Sequence, residues 1–413
     1  MPSRRWMLAS SSLAIAGSTG SRRIFDPPLS RTESAEIEWP MARYDAAGTG
    51  ANSAAVGPKD GVQLRWESNP DASVRGPAAP ILCGDTLFCT GRASLVAVDC
   101  ETGHVRFERD GYSYLSGPTR AEASAYQTDA LAVRGREGIH GLSAGGGYTL
   151  AGYTVGLERW HAPGREPLVR TSANPTPPSP VAADGVVYAV IPETNRVVAL
   201  DANSGRVRWE YAIGDEQASQ PNRPVIRDET VYVTSWPDYV AALDARTGDP
   251  LWTDRLKPQQ PADDQDYREV RPPTATAAGL IVPSRRAVSC LNPGTGELRW
   301  EYVHGGSVTD GSVAVAEGVV FVTDGTESLH AIDLETGEGI WTTEYQHDVR
   351  PIVADGIVYL GYFWLTELVA IDAETGDRRW SHEVGHGLSQ PIVGDELLYV
   401  VANDRIVALE EGA

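Results

Sequence analysis

Short runs of β-branched and aromatic residues recur along the chain from residue 61 onward, and glycine or aspartate closely precedes each run. Clear examples lie at residues 186–188, 231–233, 319–322 and 357–359. Such runs are typical of β-strands, because branched and aromatic side chains pack well on a pleated surface and the bounding residues favour turns. No long stretch shows helical periodicity, so the pattern predicts an all-β fold.

One motif recurs between these runs. A small residue is followed two positions later by Asp, three after that by Thr or Ser, then by Gly, and four positions beyond the Gly by an aromatic residue. Near-complete copies carry their Asp, or an Asn in its place, at Asp99, Asp201, Asp244, Asn292, Asp333 and Asp372. Asp before Thr-Gly is suited to a tight turn, because the carboxylate accepts backbone hydrogen bonds and Gly adopts positive φ.

A degraded copy lies between Phe107 and Trp209. Gly156 and Trp160 keep the Gly-to-Trp spacing, but Gly152 and Val155 stand where Asp and Thr are expected. The divergent segment 110–176 also contains three consecutive glycines at 145–147. Two interpretations stay open for it, a partner-binding surface or relaxed selection.

The last copy is divided between the ends of the chain. Residues 408–412 supply its first half, and residues 62–66 supply a strand that ends in the expected aromatic. Eight aromatic positions then recur at a mean spacing of about 45 residues, the length of a four-stranded propeller blade. They are Trp66, Phe107, Trp160, Trp209, Trp252, Trp300, Trp341 and Trp380. The sequence therefore predicts an eight-bladed β-propeller of four-stranded blades, closed where the N-terminal strand completes the last blade.

We interpret the eight aromatics as structural docking residues. Each is expected to stack on the glycine-containing peptide of a neighbouring copy, and burial of such a ring contributes about 2–3 kcal/mol per blade. The motif aspartates belong to the same turns, so no catalytic role is assigned to either set.

The phrase Ala-x-Asp-x-x-Thr-Gly-x-x-x-Trp resembles the tryptophan docking motif of the quinoprotein (PQQ-like) propeller family, from Gly61 to Gly412. Residues 38–45, with Thr49-Gly50 after them, resemble the segment that often precedes these propellers. The resemblance implies kinship with quinone-dependent alcohol and glucose dehydrogenases and with BamB-like lipoproteins, which scaffold outer-membrane assembly without catalysis. The dehydrogenases hold a quinone over the ring axis with calcium, a catalytic aspartate and, in many, a disulfide between adjacent cysteines.

The cysteines and the blade length favour the BamB-like, non-catalytic branch. The cysteines stand at Cys83, Cys89, Cys100 and Cys290, none adjacent to another, and the blades are close to minimal length. No metal ligand, calcium ligand or catalytic residue is carried over from the dehydrogenases. A tight turn at Gly84-Asp85 would pair Cys83 with Thr86 rather than with Cys89, so buried thiols are expected.

The first residues resemble a twin-arginine export signal. Arg4-Arg5 precede a modest apolar run that ends at Ala16, too short to span a bilayer. We therefore predict a signal peptide at 1–17, a disordered linker at 18–37 and a propeller domain at 38–413, in a protein exported beyond the cytoplasmic membrane. A disordered basic tail is the alternative interpretation of the first segment.

The chain is acidic, with a formal charge of −21, and its only lysines are Lys59 and Lys257. This composition predicts adaptation to high salt, the alternative being an ordinary acidic secreted protein. Nucleic acid is not expected as a partner, because phosphate binding requires a basic face.

Candidate ligand residues lie where the innermost strand of each blade begins. By register, five side chains are expected to line the mouth of the central channel: Arg223, Arg271, Asp310, Arg350 and Gln390. Arginine and aspartate around one opening are suited to clamp an anionic small molecule or a peptide carboxylate; mutual ion pairing in a water-filled channel is the alternative. Asp263, Asp264 and Asp266 offer oxygens to calcium, but a hydrated acidic loop is favoured.

These observations predict an exported, non-catalytic binding or scaffolding propeller, monomeric and without a membrane span, that holds a protein partner or a small ligand at the channel face. No cofactor is expected. The alternative is a quinone-dependent alcohol or sugar dehydrogenase with a reduced active site, which alone would require PQQ and calcium.

Overall fold

The computed structural model describes residues 38–74, 78–91, 94–110, 114–150, 153–163, 177–214, 220–256, 268–307, 311–361, 363–394 and 396–412. The predicted signal peptide and linker, Asp310 and the acidic cluster at 263–266 lie outside these residues. The described chain folds into eight antiparallel sheets of four principal strands, which confirms the eight-bladed propeller. Innermost strands of neighbouring sheets contact one another around a common centre.

The strands follow one another from the innermost to the outermost position in each blade. Blade 1 comprises Ile81–Cys83, Thr86–Gly91, Ser94–Asp99 and Val105–Asp110. Blade 2 comprises Thr119–Ala121, Ala130–Arg134, Gly138–Ser143 and Glu158–Pro163, with a hairpin of Tyr148–Leu150 and Tyr153–Val155 inserted before the last strand. Blade 3 comprises Val181–Ala183, Val186–Val190, Arg196–Asp201 and Val207–Ala212. Blade 4 comprises Val225–Arg227, Thr230–Trp236, Tyr239–Asp244 and Pro250–Arg255, with the short strand Gln220–Pro221 beside the second.

The second half of the ring repeats this order. Blade 5 comprises Thr274–Ala275, Leu280–Pro283, Ala287–Leu291 and Leu298–Val303. Blade 6 comprises Ala314–Ala316, Val319–Thr323, Ser328–Asp333 and Gly339–Glu344. Blade 7 comprises Ile352–Ala354, Ile357–Leu360, Glu367–Asp372 and Arg378–Glu383. Blade 8 comprises Ile392–Gly394, Leu397–Ala402, Arg405–Glu411 and, from the N-terminal side, Val62–Ser68.

Blade 8 closes the ring as predicted. The strand Val62–Ser68 lies antiparallel to Arg405–Glu411, with Leu64 opposite Leu409 and Trp66 opposite Ala408. The N-terminal strand pairs with the edge of the C-terminal strand, which would otherwise be exposed. Backbone hydrogen bonds between the two ends of the chain therefore close the ring.

Each blade docks on the next through the outermost strand. The Trp209 ring packs against Gly248 of blade 4, and its Nε1 donates to the carbonyl oxygen of Ala245 at 2.8 Å. Gly248 has φ +77°, and a Cβ there would collide with the ring. The same indole-to-carbonyl bond is made by Trp66, Trp160, Trp252, Trp300, Trp341 and Trp380. The aromatic and the glycine act as one clasp because a flat ring needs a peptide with no side chain beneath it.

The clasp in blade 2 differs from the sequence interpretation. The Phe107 ring faces Gly146, with φ +73°, and not Gly156. The third strand ends at Ser143, which occupies the position of the motif Asp, and Gly146 donates its N–H to the Ser143 carbonyl. The inserted hairpin separates this turn from the last strand. The Gly156-to-Trp160 spacing was therefore coincidental, because the insertion displaced the true docking glycine by ten positions.

Residues 38–52 run along the innermost strands of successive blades. Their carbonyl oxygens accept hydrogen bonds from the innermost strands of successive blades, among them Ala46 from Ile226, Ala47 from Ala275, Thr49 from Val315 and Gly50 from Val353. Ala51–Asn52 then pair in parallel with Ile352–Ala354. The inward edge of each innermost strand would otherwise be unpaired, so this segment satisfies it.

None of the four cysteines forms a disulfide within the described chain, and Cys83 stands opposite Thr86 across its turn, in agreement with the turn geometry. No helix within the described part of the chain is long and apolar enough to cross a membrane.

Candidate functional site

The structure brings three of the predicted mouth residues together. Arg223, Arg350 and Gln390 each lie two residues before an innermost strand, in blades 4, 7 and 8. All three interact with Arg43, which belongs to the segment 38–52 beside the innermost strands. We call Arg43, Arg223, Arg350, Gln390 and Asp45 the channel cluster.

Arg43 is the centre of the channel cluster. Its side chain is 3% exposed; Nη2 donates to the carbonyl oxygen of Val313 at 2.6 Å and Nη1 to Oε1 of Gln390 at 3.3 Å. Gln390 is held in turn, because its Nε2 donates to the carbonyl oxygen of Ala42 at 2.6 Å. The Nε atom of Arg43 is buried and has no hydrogen-bond partner among the described residues.

Arg223 is also buried, with 5% of its side chain exposed. Its Nη1 has no hydrogen-bond partner within the described chain. A Cβ at Gly48 would collide with this guanidinium, and one at Gly50 with that of Arg43. The absence of side chains at Gly48 and Gly50 therefore makes room for the two guanidinium groups.

The channel cluster has more positive than negative charge. Burial, followed by the nearby Arg223 and Arg350 charges, lowers the pKa of Arg43 to about 9, with Asp45 opposing. Burial lowers the pKa of Arg223 to about 10; Asp45 opposes this shift and Arg350 adds to it. Asp45 already accepts from the Thr49 amide at 2.8 Å and from its hydroxyl at 2.9 Å. The Asp45 carboxylate thus acts on the Arg43 and Arg223 guanidinium groups, and Arg350 places a further positive charge near both.

Arg271 does not join the channel cluster. Arg271 donates from Nη2 to Glu269 Oε2 at 3.1 Å, and Arg285 approaches the same carboxylate at 3.4 Å. For Arg271 the structure thus shows mutual ion pairing. Asp310 lies outside the described residues.

Sequence reasoning missed Arg43 and Asp45. Both lie in the segment that resembles the usual lead-in to these propellers, which was treated as a family signature and not as part of the channel. The signal that was available is the Gly-Thr-Gly sequence at 48–50, since glycines flanking one residue indicate a close approach of backbone to another group.

The channel cluster is suited to an anion and not to a calcium ion. A carboxylate or sulfate accepts several N–H bonds from guanidinium groups, which form strong charge-assisted bonds. Calcium requires six to eight oxygen ligands, roughly, several of them carboxylates. Asp45 is the one carboxylate identified in the channel cluster, and three cations beside it would repel a divalent cation. These residues do not fit the calcium of a quinoprotein site.

Comparison with known proteins establishes the class. The family described as "Outer membrane protein assembly factor BamB" matches residues 153–362 and 365–412, more than half of the chain. The chain therefore belongs to this BamB-type family of PQQ-like β-propellers.

The relatives within and around this family have different functions. BamB of Moranella endobia is 26% identical over 191 residues, which cover 44% of this chain and 47% of that protein. The serine/threonine-protein kinase AfsK of Streptomyces griseus is 31% identical over 177 residues, 40% of this chain and 21% of the kinase. The chain spans less than half the length of either protein.

The fold extends further than the sequence similarity. The quinohemoprotein alcohol dehydrogenase of Comamonas testosteroni superposes with a TM-score of 0.69 at 14% identity, over 93% of this chain and 82% of that one. A BamB of known structure and a dehydrogenase share the architecture, so the function of this chain follows from its site and not from its fold.

Proposed function

We propose that this protein is a non-catalytic binding propeller, acting outside the cytoplasmic membrane, whose channel cluster holds an anionic group of a protein partner or small ligand. The observation that carries the proposal is the pair of buried guanidinium groups with unpartnered N–H atoms, Arg43 Nε and Arg223 Nη1.

Buried charge without a partner is costly, and several kcal/mol, roughly, are lost for each ion that is removed from water without compensation. Among the described residues, Nη1 of Arg223 has no compensating hydrogen bond, and Arg350 repels the Arg223 charge. A bound anion would supply both the missing acceptor and the missing negative charge. The channel cluster is thus suited to bind an acidic group.

An exposed indole on the same face supports a protein partner. Trp364 is 74% exposed and lies between the second and third strands of blade 7. The start of an innermost strand and the turn after the second strand lie at the same end of an antiparallel blade, so Trp364 and Arg350 share a face. Exposed tryptophans are frequent binding hot spots.

The test compares Arg223→Met with Arg271→Met, since Arg271 is paired with Glu269 and lies outside the channel cluster. Thermal unfolding is measured in citrate and in sulfate against chloride at equal ionic strength. An anion at about 100 times its Kd stabilises by about 2.7 kcal/mol. We expect this gain in the wild type and in Arg271→Met, and its loss in Arg223→Met.

Without added anion, Arg223→Met is expected to be at least as stable as the wild type, because it removes a buried charge that lacks a partner. A strong loss of stability would show instead that Arg223 has a structural role. Equal anion gains in both variants would refute the proposal.

The dehydrogenase alternative is tested on the same preparations by adding PQQ with calcium. A stoichiometric change in quinone absorbance together with dye-linked oxidation of alcohols or sugars would refute the non-catalytic proposal and support a dehydrogenase activity. We expect neither.

A further inference from the structure

The outer half of blade 2 gathers two histidines and a glutamate on one surface. His140 and His161 stand directly opposite each other on the third and fourth strands, and their rings stack at 4.5 Å between centroids with planes 6° apart. His140 Nδ1 lies 2.9 Å from Glu158 Oε2. His140 is buried, whereas Glu158 and His161 are exposed.

A β-bulge places Glu158 on this surface. Residues three apart on a regular strand point to opposite faces. The register shift between Glu158 and Trp160 inserts one residue, so Glu158 stands opposite Leu142 and shares the face of His140 and His161. The bulge itself is the docking bulge of the fold, since the other seven blades have the same shift beside their docking aromatic.

The other blades have different residues at these three positions. Blade 3 has Val198, Glu210 and Val207 there, and blade 6 has His330, Thr342 and Gly339. The remaining sets are Val96, Glu108 and Val105; Ala241, Thr253 and Pro250; Ser289, Glu301 and Leu298; Val369, Ser381 and Arg378; and Val407, Glu67 and Leu64. Among the described strands, blade 2 alone combines two imidazoles with a carboxylate. The blade that departs from the docking motif is thus the one that carries a group of potential metal ligands.

We propose that His140, Glu158 and His161 form a binding site for a divalent transition-metal ion of the zinc class. One ligand atom from each residue lies within 4.8 Å of the other two. Two histidines and one glutamate are a donor set that zinc uses when it keeps a fourth position open. Imidazole also suits copper and nickel, whereas magnesium and calcium prefer all-oxygen sites.

Binding requires one adjustment. A metal ion lies near the plane of each imidazole that holds it, so the His161 ring has to turn out of the stack. His161 is exposed, which leaves its ring free to rotate, whereas His140 is fixed by burial, by the contact of its ring with Tyr114 at 5.8 Å and by Glu158. The fourth position then faces solvent, where water or a donor from a partner can occupy it.

The test is a zinc titration of the purified full chain, followed by calorimetry and by competition with a chromophoric chelator, with Co²⁺ absorption as a second readout. The variants are Glu158→Gln and His161→Ala, whose side chains are exposed and whose loss spares the fold. The matched control is His104→Ala, which removes an exposed histidine on the docking turn of blade 1.

One zinc ion per chain is expected for the wild type and the control. Both site variants should bind at least about tenfold more weakly, since changes even to second-shell groups typically cost 10–100-fold. The tetrahedral Co²⁺ spectrum should disappear with them. Equal zinc affinity in the wild type and His161→Ala, or a magnesium affinity as high as that for zinc, would overturn the assignment.

Discussion

Blade 2 and blade 3 perform the same docking task with different sequences. Blade 3 has a complete motif, in which Gly205, with φ +66°, lies beneath the Trp160 ring and the Asp201 carboxylate accepts from the Ser204 amide at 3.1 Å. Blade 2 replaces the motif Asp with Ser143 and adds a hairpin, yet Gly146 receives the Phe107 ring in the same left-handed conformation.

The difference shows which part of the motif is indispensable. The positive-φ glycine is present in both blades, whereas the aspartate and the indole N–H are not. A ring needs a flat, side-chain-free peptide to stack on, and this need cannot be met by another residue type. The polar residues of the motif stabilise the turn but can be replaced, which leaves blade 2 free to diverge toward other chemistry.

The largest expected effect concerns the regular clasp. Trp209→Ala should lower the free energy of unfolding by about 3–5 kcal/mol, because it creates a cavity over Gly248 and removes the indole donor from the Ala245 carbonyl, which keeps the longer bond from the Tyr188 hydroxyl at 3.4 Å. Chemical denaturation followed by intrinsic fluorescence measures the loss. A cost below that of Phe107→Ala would contradict the view that a regular Trp–Gly clasp is stronger than the divergent Phe107–Gly146 clasp.

Blade 6 tests how much a buried imidazole without a hydrogen-bond partner among the described residues costs the fold. His330 occupies the position of His140 beside His304, whose ring nitrogens are buried and unpartnered among the described residues. Burial, with a contribution from His330 and against Asp324, lowers the pKa of His304 from 6.5 to about 4.

His304 therefore takes up a proton below pH 6.5 in the unfolded chain but only below about pH 4 in the folded protein. The free energy of unfolding consequently falls as the pH is lowered through this window. Relative to the wild type, His304→Leu should gain about 1.4 kcal/mol for each pH unit across it. Denaturation at pH 7.5, 6, 5 and 4, roughly, gives the comparison. A pH-independent difference between the two proteins would contradict the prediction.

The divergent clasp should respond more weakly than the regular one. Phe107 is partly exposed and its ring has no N–H donor, so Phe107→Ala is expected to cost about 1–2 kcal/mol. The same denaturation assay measures it. Phe107→Leu is the control, since it keeps apolar volume over Gly146 and should recover part of the loss.

The smallest effect is expected for the inserted hairpin. Tyr148, Leu150 and Val155 are 62%, 70% and 52% exposed, so they bury little surface. Removal of residues 148–155 should change stability by less than about 1 kcal/mol, because a shorter loop lowers the entropic cost of closure. If this variant still binds zinc, the metal site does not depend on the hairpin. A large destabilisation would instead show that the hairpin supports the Gly146 turn.

The sequence by itself determined the all-β class, the number of blades, the docking aromatics of the regular copies and the split last blade. These features are local or involve adjacent repeats, and a repeated motif carries them because each copy contacts only its neighbours. Three of the five predicted mouth residues also fell into the described channel cluster or directly beside it, since the start of an innermost strand can be read from the repeat register.

Only the tertiary structure decided the rest. Arg43 meets Arg223 across the channel although 180 residues separate them, roughly, and no repeat pattern records where a lead-in segment passes. Gly146 replaced Gly156 because an insertion shifts spacing without altering geometry. Glu158 reached the face of His161 through a bulge, which reverses the alternation expected from a strand. Contacts between distant segments and departures from period two arise from packing, and packing is settled by the folded chain as a whole.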